Sequence, residues 1–254
     1  MEIIFQSIIN GLSLGLVYIL IASGLSLVLG IARIINFAHG EFYMLGAIAI
    51  YYLSTVYGVN FFLAMLISVF VLGALGWSVD KLLYNRVRGQ FMPTVAVSLG
   101  VAFFIAGLAL IVFGERLKKV ETVFPGKLGA FGTAISLERL VIILVGLVVM
   151  AMLTYFVARF KAGKAMQAVA QDREAAALQG INVSGICALS MFIGCGLAAV
   201  AGALVAPVFF VDVFMGPIAL FKGFVVILLG GVGTIPGAVV GGLLLGLVEA
   251  FGYT

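Results

Sequence analysis

The chain has 254 residues, of which 64% are hydrophobic and 9% are charged, with a formal net charge of +4. Soluble domains carry about 25% charged residues, so this composition excludes an ordinary soluble enzyme, a disordered chain and a secreted disulfide scaffold. The apolar runs are continuous rather than alternating, which predicts an all-α, polytopic helical membrane protein. The basic residues lie between these runs, where they set membrane orientation and do not indicate a nucleic-acid partner.

About eight apolar segments are expected to enter the bilayer, and together they form one transmembrane domain over residues 1–254. The first is too long to be the core of a cleavable signal. The seventh is short and carries Lys222, so it could be a half-helix that enters and leaves on one side. In chain order the segments are Ile3–Ile31, Phe42–Tyr57, Val59–Val79, Phe91–Phe113, Leu140–Val157, Ile186–Val211, Ile218–Leu229 and Gly237–Phe251.

The basic residues in the connections predict the orientation. One side holds Arg33 and the basic residues of 80–89 and 159–173, eight in all, whereas the other side holds five, in the connection that follows Phe113. The positive-inside rule places the first group in the cytoplasm. The N-terminus and the loop Glu115–Glu138 are then external.

A polar stretch separates the first two segments. One interpretation is a solvated turn whose polar groups face water. The other is a break that lines a path through the membrane, where non-helical backbone is tolerated because it borders water. The candidate path residues are Asn36, Phe37, His39, Gly40 and Glu41.

The longest polar stretch with helical character lies at about 161–180. Its alanines favour a helix, Gly180 is placed to end it, and Asn182 can cap the next segment. It is either an interfacial helix that only joins two spans or a cytoplasmic helix presented to a partner protein, because small residues with charges at the rim suit a groove. The residues expected to matter there are Gly163, Lys164, Ala170, Asp172, Arg173, Ala177 and Gly180.

Glycines recur four residues apart within the apolar segments, a spacing that lets another helix approach closely. The pairs are Gly11 with Gly15, Gly237 with Gly241, and Gly242 with Gly246. The pairs near the C-terminus predict tight packing against another helix or another subunit. The residues assigned to helix packing or to a helix break are Gly230, Gly231, Gly233, Pro236, Gly237 and Gly241.

Several kinds of chemistry are excluded. The sequence has no phosphate-binding Gly-x-x-x-x-Gly-Lys-Ser/Thr loop, and His39 is its one histidine. We therefore expect no catalytic residue, no metal site and no cofactor bound by this chain. Lys222 is expected either to extend to the external interface or to pair with Asp212. Cys187 and Cys195 are expected to be small packing residues.

Three motifs together resemble the permease subunits of branched-chain amino acid ABC importers, of the LivH type. The first is Ile-Asn-Phe-Ala-His-Gly-Glu-Phe-Tyr-Met at 35–44, and the third is Leu-Gly-Gly-Val-Gly-Thr-Ile-Pro-Gly-Ala at 229–238. Between them, 163–182 contains Gly-Lys-Ala, Ala-Gln-Asp, Ala-Ala-Ala and Gly-Ile-Asn in the family's order. The resemblance extends from about Phe5 to Phe251.

The resemblance implies an ABC importer permease fold and a non-enzymatic subunit that moves branched-chain or related amino acids across a bacterial or archaeal inner membrane. The implied partners are a second related permease, in a heterodimer or a homodimer, two cytoplasmic ATPases that bind ATP and Mg, and an extracytoplasmic solute-binding protein. The stretch 161–180 would be the ATPase-coupling helix. Family members usually continue beyond the position of Thr254 with one more membrane helix and a basic tail, so the sequence is expected either to be truncated or to have an unusual last helix. A stand-alone secondary carrier or channel and a structural scaffold remain alternatives.

Overall fold

The computed structural model describes residues 2–130 and 133–252, so the expectations about Met1 and about chain beyond Thr254 lie outside it. The described part is helical, apart from one antiparallel hairpin. Two π-helical segments, Tyr51–Val56 and Asp80–Tyr84, extend the second and third helices. The other elements are α1 (Glu2–Ala32), α2 (His39–Ile50), α3 (Phe61–Val79), α4 (Asn85–Val87), α5 (Phe91–Phe113), β1 (Lys127–Ala130), β2 (Thr133–Ser136), α6 (Leu137–Arg159), α7 (Lys161–Gln171), α8 (Arg173–Leu178), α9 (Val183–Val205), α10 (Met215–Gly230) and α11 (Ile235–Gly252).

The polytopic helical fold is confirmed. Within residues 2–130 and 133–252, six helices are long and apolar enough to cross a membrane, and α10 is a shorter apolar helix of 16 residues. The remaining predicted segment corresponds to α2, which has 12 residues before its π-helical extension. Each of the eight predicted segments is therefore helical, but the second and the seventh are too short to count as full spans.

Helices α1 and α9 form the centre of the molecule. In each of these two helices, 83% of the residues in an apolar stretch of 18 residues are buried. In the corresponding stretches of α3, α5, α6 and α11, 28% or less are buried. The outward faces of these peripheral helices are apolar, as with Phe103, Phe104 and Ile111, which are 74%, 69% and 84% exposed. Such faces suit contact with lipid.

Helix α11 packs closely against α1 through facing glycines. A methyl group at Gly246 would lie 2.5 Å from the Gly15 Cα, and one at Gly15 would lie 3.1 Å from the Gly242 carbonyl oxygen. Gly11 faces the Leu247 backbone in the same way, at 3.0 Å. The predicted close neighbour of the C-terminal glycines is thus a helix of the same chain.

The connections gather at two ends of the bundle. At one end, Lys118 and Val211 exchange backbone hydrogen bonds of 2.9 and 2.8 Å, which joins the connection after α5 to the one after α9. At the other end, the Lys81 ammonium donates to Ser184 Oγ (3.3 Å), and that hydroxyl donates to Asn85 Oδ1 (3.0 Å). These two ends agree with the two sides of the membrane to which the predicted segments assign the same connections.

Candidate solute path and coupling surface

The chain between α1 and α2 turns back into the protein. After Ala32, Arg33 adopts a positive φ of 53° and ends the helix, and residues 33–36 run without helical structure. His39 begins α2, and its Nε2–H donates to the carbonyl oxygen of Ile21 (3.1 Å). Ile21 lies about 16 Å along the axis from the end of α1, at 1.5 Å per residue. The short helix α2 therefore begins well inside the bundle.

This re-entrant segment, residues 33–38, is held by side chains from several helices. The amide oxygen of Asn36 accepts hydrogen bonds from the Tyr84 hydroxyl (3.0 Å) and from the backbone N–H of Ala38 (3.1 Å). The backbone N–H of Phe37 donates to Ser98 Oγ (3.1 Å). Irregular backbone at membrane depth is stable where protein satisfies its polar groups in this way.

The interpretation as a solvated turn is wrong. The side chains of Asn36 and His39 are fully buried, and Glu41 is 4% exposed. The structure contains a non-helical break inside the helix bundle. That these residues line the solute path stays a prediction.

The beginnings of α2 and α10 meet at two glycines. A methyl group at Gly40 would collide with the carbonyl oxygen of Gly216, and one at Gly216 would lie 2.8 Å from Glu41 Oε2. Among the described residues, that carboxylate oxygen and His39 Nδ1 have no hydrogen-bond partner. The two short helices can approach this closely only because both positions lack a side chain.

The predicted single helix at 161–180 is two helices, which is a correction. Asp172 adopts an extended conformation between α7 and α8. Its carboxylate accepts hydrogen bonds from the backbone N–H groups of Glu174 (2.9 Å) and Ala175 (3.0 Å), so it caps α8. An aspartate that offers this cap competes with continuation of the helix. Gly180, with a φ of 80°, follows the end of α8, and Asn182 caps α9 through the Gly185 N–H (2.9 Å), both as predicted.

The inner face of this coupling segment, residues 161–180, packs on the membrane helices. Met166, Val169 and Ala176 are buried, and a methyl group at Gly163 would collide with the backbone of α6 at Phe156. Arg173 also points inward, because its guanidinium donates to the carbonyl oxygen of Ile31 (2.6 Å). Partial burial lowers the pKa of Arg173 from its ordinary value through desolvation.

The outer face of the coupling segment is exposed and mixed in character. Leu178 is 87% exposed at the end of α8. Ala170 is half-buried beside Gly30 and Gly233, so a partner on the outer face would meet Ala177 before Ala170. The exposed residues of the segment are Lys161, Lys164, Gln167, Gln171, Asp172, Glu174, Ala175, Ala177, Leu178, Gln179 and Gly180.

Helices α10 and α11 form a tight hairpin. A methyl group at Gly230 would collide with the Gly237 carbonyl, and one at Gly237 would collide with the Gly230 carbonyl. A methyl group at Gly241 would likewise collide with the carbonyl of Val226. Gly231 and Gly233 adopt φ values of 100° and 78° in the turn, where other residues would be strained. Pro236 lies in the first turn of α11, where its missing N–H costs no hydrogen bond.

The expected pairing of Lys222 with Asp212 is wrong, and its extension to the external interface stays a prediction. Its ammonium lies 2.6 Å from Glu249 Oε1 and 2.7 Å from the Tyr18 hydroxyl, so Glu249 and not Asp212 is its acidic partner. The Tyr18 hydroxyl in turn donates to Glu249 Oε2 (2.6 Å). Sequence reasoning missed Tyr18 and Glu249. The available signal was that an ionisable group inside an apolar segment needs a partner, and Glu249 is the carboxylate of the last segment.

In the part of the chain that the structure describes, six apolar helices of membrane-spanning length, together with the two shorter helices α2 and α10, define a multi-pass helical membrane protein. The family model described as the branched-chain amino acid transport system / permease component matches residues 7–254. The chain belongs to this family.

Curated relatives agree over nearly the whole chain. It is 37% identical to the high-affinity branched-chain amino acid transport system permease protein BraD of Pseudomonas aeruginosa, which aligns with 97% of this chain over 85% of its own length. It is 34% identical to the permease proteins LivH of Salmonella typhimurium and of Escherichia coli, with 96% of this chain and 84% of each relative aligned.

Proposed function

We propose that this chain is a permease subunit of an ATP-driven importer that moves branched-chain or related amino acids across the inner membrane. The names of BraD and LivH support the solute class. In this proposal the subunit pairs with a second related permease, and two cytoplasmic ATPases bind ATP and Mg. An extracytoplasmic binding protein delivers the solute, and this chain binds no cofactor and catalyses no reaction.

The hydrogen bond from Arg173 to Ile31 carries the mechanical part of the proposal. The coupling segment would bind an ATPase through its exposed outer face. Arg173 joins its inner face to the end of α1, next to the re-entrant segment that bears Asn36 and leads into His39. A push on α7 and α8 by the closing ATPases would therefore move the backbone at the proposed path. Access to the path at the interface between the permeases would then change from one side to the other.

The test is import into proteoliposomes that contain the whole complex and the binding protein. Import should require ATP, and the ATPase should co-purify with the permease. Leu178→Asp should abolish import and co-purification of the ATPase, because it replaces the most exposed apolar side chain of the coupling segment with a charged one. Leu117→Asp is the matched control, since Leu117 is 63% exposed at the opposite end of the bundle.

The outcomes separate the alternatives. Import that persists without ATP and without an ATPase would replace this proposal with a stand-alone carrier or channel. Co-purification of the ATPase at the normal level with Leu178→Asp would remove the docking role from α8. Loss of co-purification with Leu117→Asp as well would show that the charge acts through general damage to the fold.

A further inference from the structure

A cavity of about 430 Å³ lies at the end of the bundle opposite to the coupling segment. Its walls come from the N-terminal half of α1, the beginnings of α6 and α10, the connection between α9 and α10, and the end of α11. Leu14, Val17 and Ile218 are among the apolar residues that line it. A volume of this size is typical of small-molecule sites.

The polar side of this cavity contains the Lys222–Glu249 ion pair and the Tyr18 hydroxyl that bridges it. The Lys222 ammonium has three N–H donors, of which these two neighbours take two. Arg139 lines the same cavity and donates to Ser13 Oγ (3.3 Å). Adjacent positive and negative groups therefore face a largely apolar space.

We propose that this cavity binds a zwitterionic aliphatic α-amino acid, laid antiparallel against the Lys222–Glu249 pair. This inference rests on the proposed function and assigns the solute a position in this chain. An α-amino acid carries its ammonium and its carboxylate on one carbon, so the two groups can face Glu249 and Lys222 at once. The aliphatic side chain then contacts the apolar wall, where removal of its surface from water is favourable.

The resting ion pair also explains how such a site can release its solute. Because Lys222 and Glu249 neutralise each other, the empty cavity holds no unpaired charge from this pair. A bound zwitterion shares existing ionic contacts and does not satisfy isolated charges, so its binding is weak. Weak binding suits a site that a solute occupies only in transit.

The charge pattern predicts which analogues the cavity rejects. Lys222 and Arg139 attract the carboxylate of the keto acid of leucine, but this analogue has no ammonium to offset the like charge of Glu249, which lies 2.6 Å from Lys222. The corresponding amine, 3-methylbutylamine, has no carboxylate and would place its ammonium beside Lys222 and Arg139. Like charges in contact repel, and partial burial of the pair reduces the screening by water.

Thiol protection in the complete complex tests the site directly. Asn10 is half-buried and lines the cavity, so the thiol of Asn10→Cys should react with a membrane-impermeant methanethiosulfonate. The two native cysteines are buried and should contribute little background. L-Leucine should slow the reaction at this position several-fold, whereas the keto acid and the amine should leave the rate unchanged.

The chain offers a matched control. Ala49 is half-buried and lines a second cavity of about 480 Å³, whose residues are apolar apart from tyrosine hydroxyls. Leucine should not change the rate at Ala49→Cys. Protection at both positions would indicate a general change in the protein and would overturn the site.

A second variant tests the zwitterion itself. Glu249→Gln, combined with Asn10→Cys, keeps a hydrogen-bonding side chain but removes the negative charge. Leucine should then protect less than in the parent, and the keto acid should protect more. Equal protection by leucine in both proteins would overturn the pairing with Glu249.

The outcomes distinguish an error in the proposed site from an error in the proposed function. Absence of leucine protection at Asn10→Cys overturns the site, whether or not the wild-type complex imports leucine with ATP. Protection by leucine in a complex that shows no ATP-dependent import supports the site and overturns the proposed function.

Discussion

The guanidinium of Arg173 donates a 2.6 Å hydrogen bond to the carbonyl oxygen of Ile31 in the last turn of α1. Carbonyl groups in the last turn of a helix have no partner within that helix, and a cation there also interacts favourably with the helix dipole. The bond connects α8, outside the membrane-spanning bundle, to the helix at its centre. The re-entrant segment begins two residues after Ile31, so this hydrogen bond joins α8 to the chain just before that segment.

Loss of this hydrogen bond should weaken the connection between α8 and the end of α1. Hydrogen bonds to charged groups contribute about 1.5–3 kcal/mol, so Arg173→Ala should lower ATP-dependent import by about tenfold or more. Membrane insertion and ATPase co-purification should persist, because Arg173 points inward. Lys161→Ala is the control. Lys161 is exposed on the same segment, so the complex with this variant should import at the wild-type rate. Equal import by Arg173→Ala and the wild type would rule out this connection.

Tryptophan substitutions should distinguish the two faces of the coupling segment. Ala177 is exposed, so Ala177→Trp should block ATPase co-purification and leave the permease as stable as the wild type. Ala170 is half-buried against α1 and the turn after α10, so Ala170→Trp should destabilise the permease by about 1–3 kcal/mol through overpacking. Co-purification and thermal unfolding of the purified permease measure the two effects. The reverse pattern would mean that the partner docks on the Ala170 side.

The contact between α1 and α11 should be sensitive to any added side chain. A methyl group at Gly246 meets the Gly15 backbone at 2.5 Å, so Gly246→Ala should cost about 1–3 kcal/mol because two helices must separate. Gly100 in α5 has open space at the same position, and Gly100→Ala should be neutral or stabilising by up to about 1 kcal/mol. Thermal unfolding in detergent compares the two. An unchanged melting temperature for Gly246→Ala would contradict the close packing.

The re-entrant segment should depend on Asn36. Asn36→Ala leaves the Tyr84 hydroxyl and the Ala38 N–H without their acceptor, and each unsatisfied buried group costs about 1–3 kcal/mol. Tyr84→Phe removes the hydroxyl together with its hydrogen bond to Asn36, so it leaves no donor unpaired. The loss of stability should therefore be smaller than for Asn36→Ala. Both variants should lower the melting temperature, and Asn36→Ala should also abolish import. Import at the wild-type rate in Asn36→Ala would remove this segment from the path.

Single cysteines should report the orientation. Lys119 and Lys164 are both exposed, near opposite ends of the bundle, and the two native cysteines are buried. Lys119→Cys should react with an impermeant thiol reagent added to intact cells, whereas Lys164→Cys should react only after the membrane is opened. The opposite pattern would invert the orientation that the positive-inside rule predicts.

Sequence patterns determined the helical membrane fold because long apolar runs leave few other structures open to a chain in lipid. They also located Gly180, Asn182 and the α10–α11 turn, because caps and turns depend on residues close in sequence. The break at Asp172 was missed, since alanine-rich sequence on both sides favours one continuous helix. A side-chain cap that competes with helix hydrogen bonds is a local effect, but its outcome depends on how α7 and α8 pack.

Only the tertiary structure decided where the isolated polar groups lie. Lys222 pairs with Glu249 and Tyr18, which are 27 and 204 residues away in sequence. The segment bearing Asn36 turns inward because Tyr84 and Ser98, from two other helices, supply its hydrogen bonds. Hydropathy and spacing indicate that such groups need partners, because unpaired polar groups are costly at membrane depth. They do not identify the partner, because that choice depends on which helices meet when the bundle assembles.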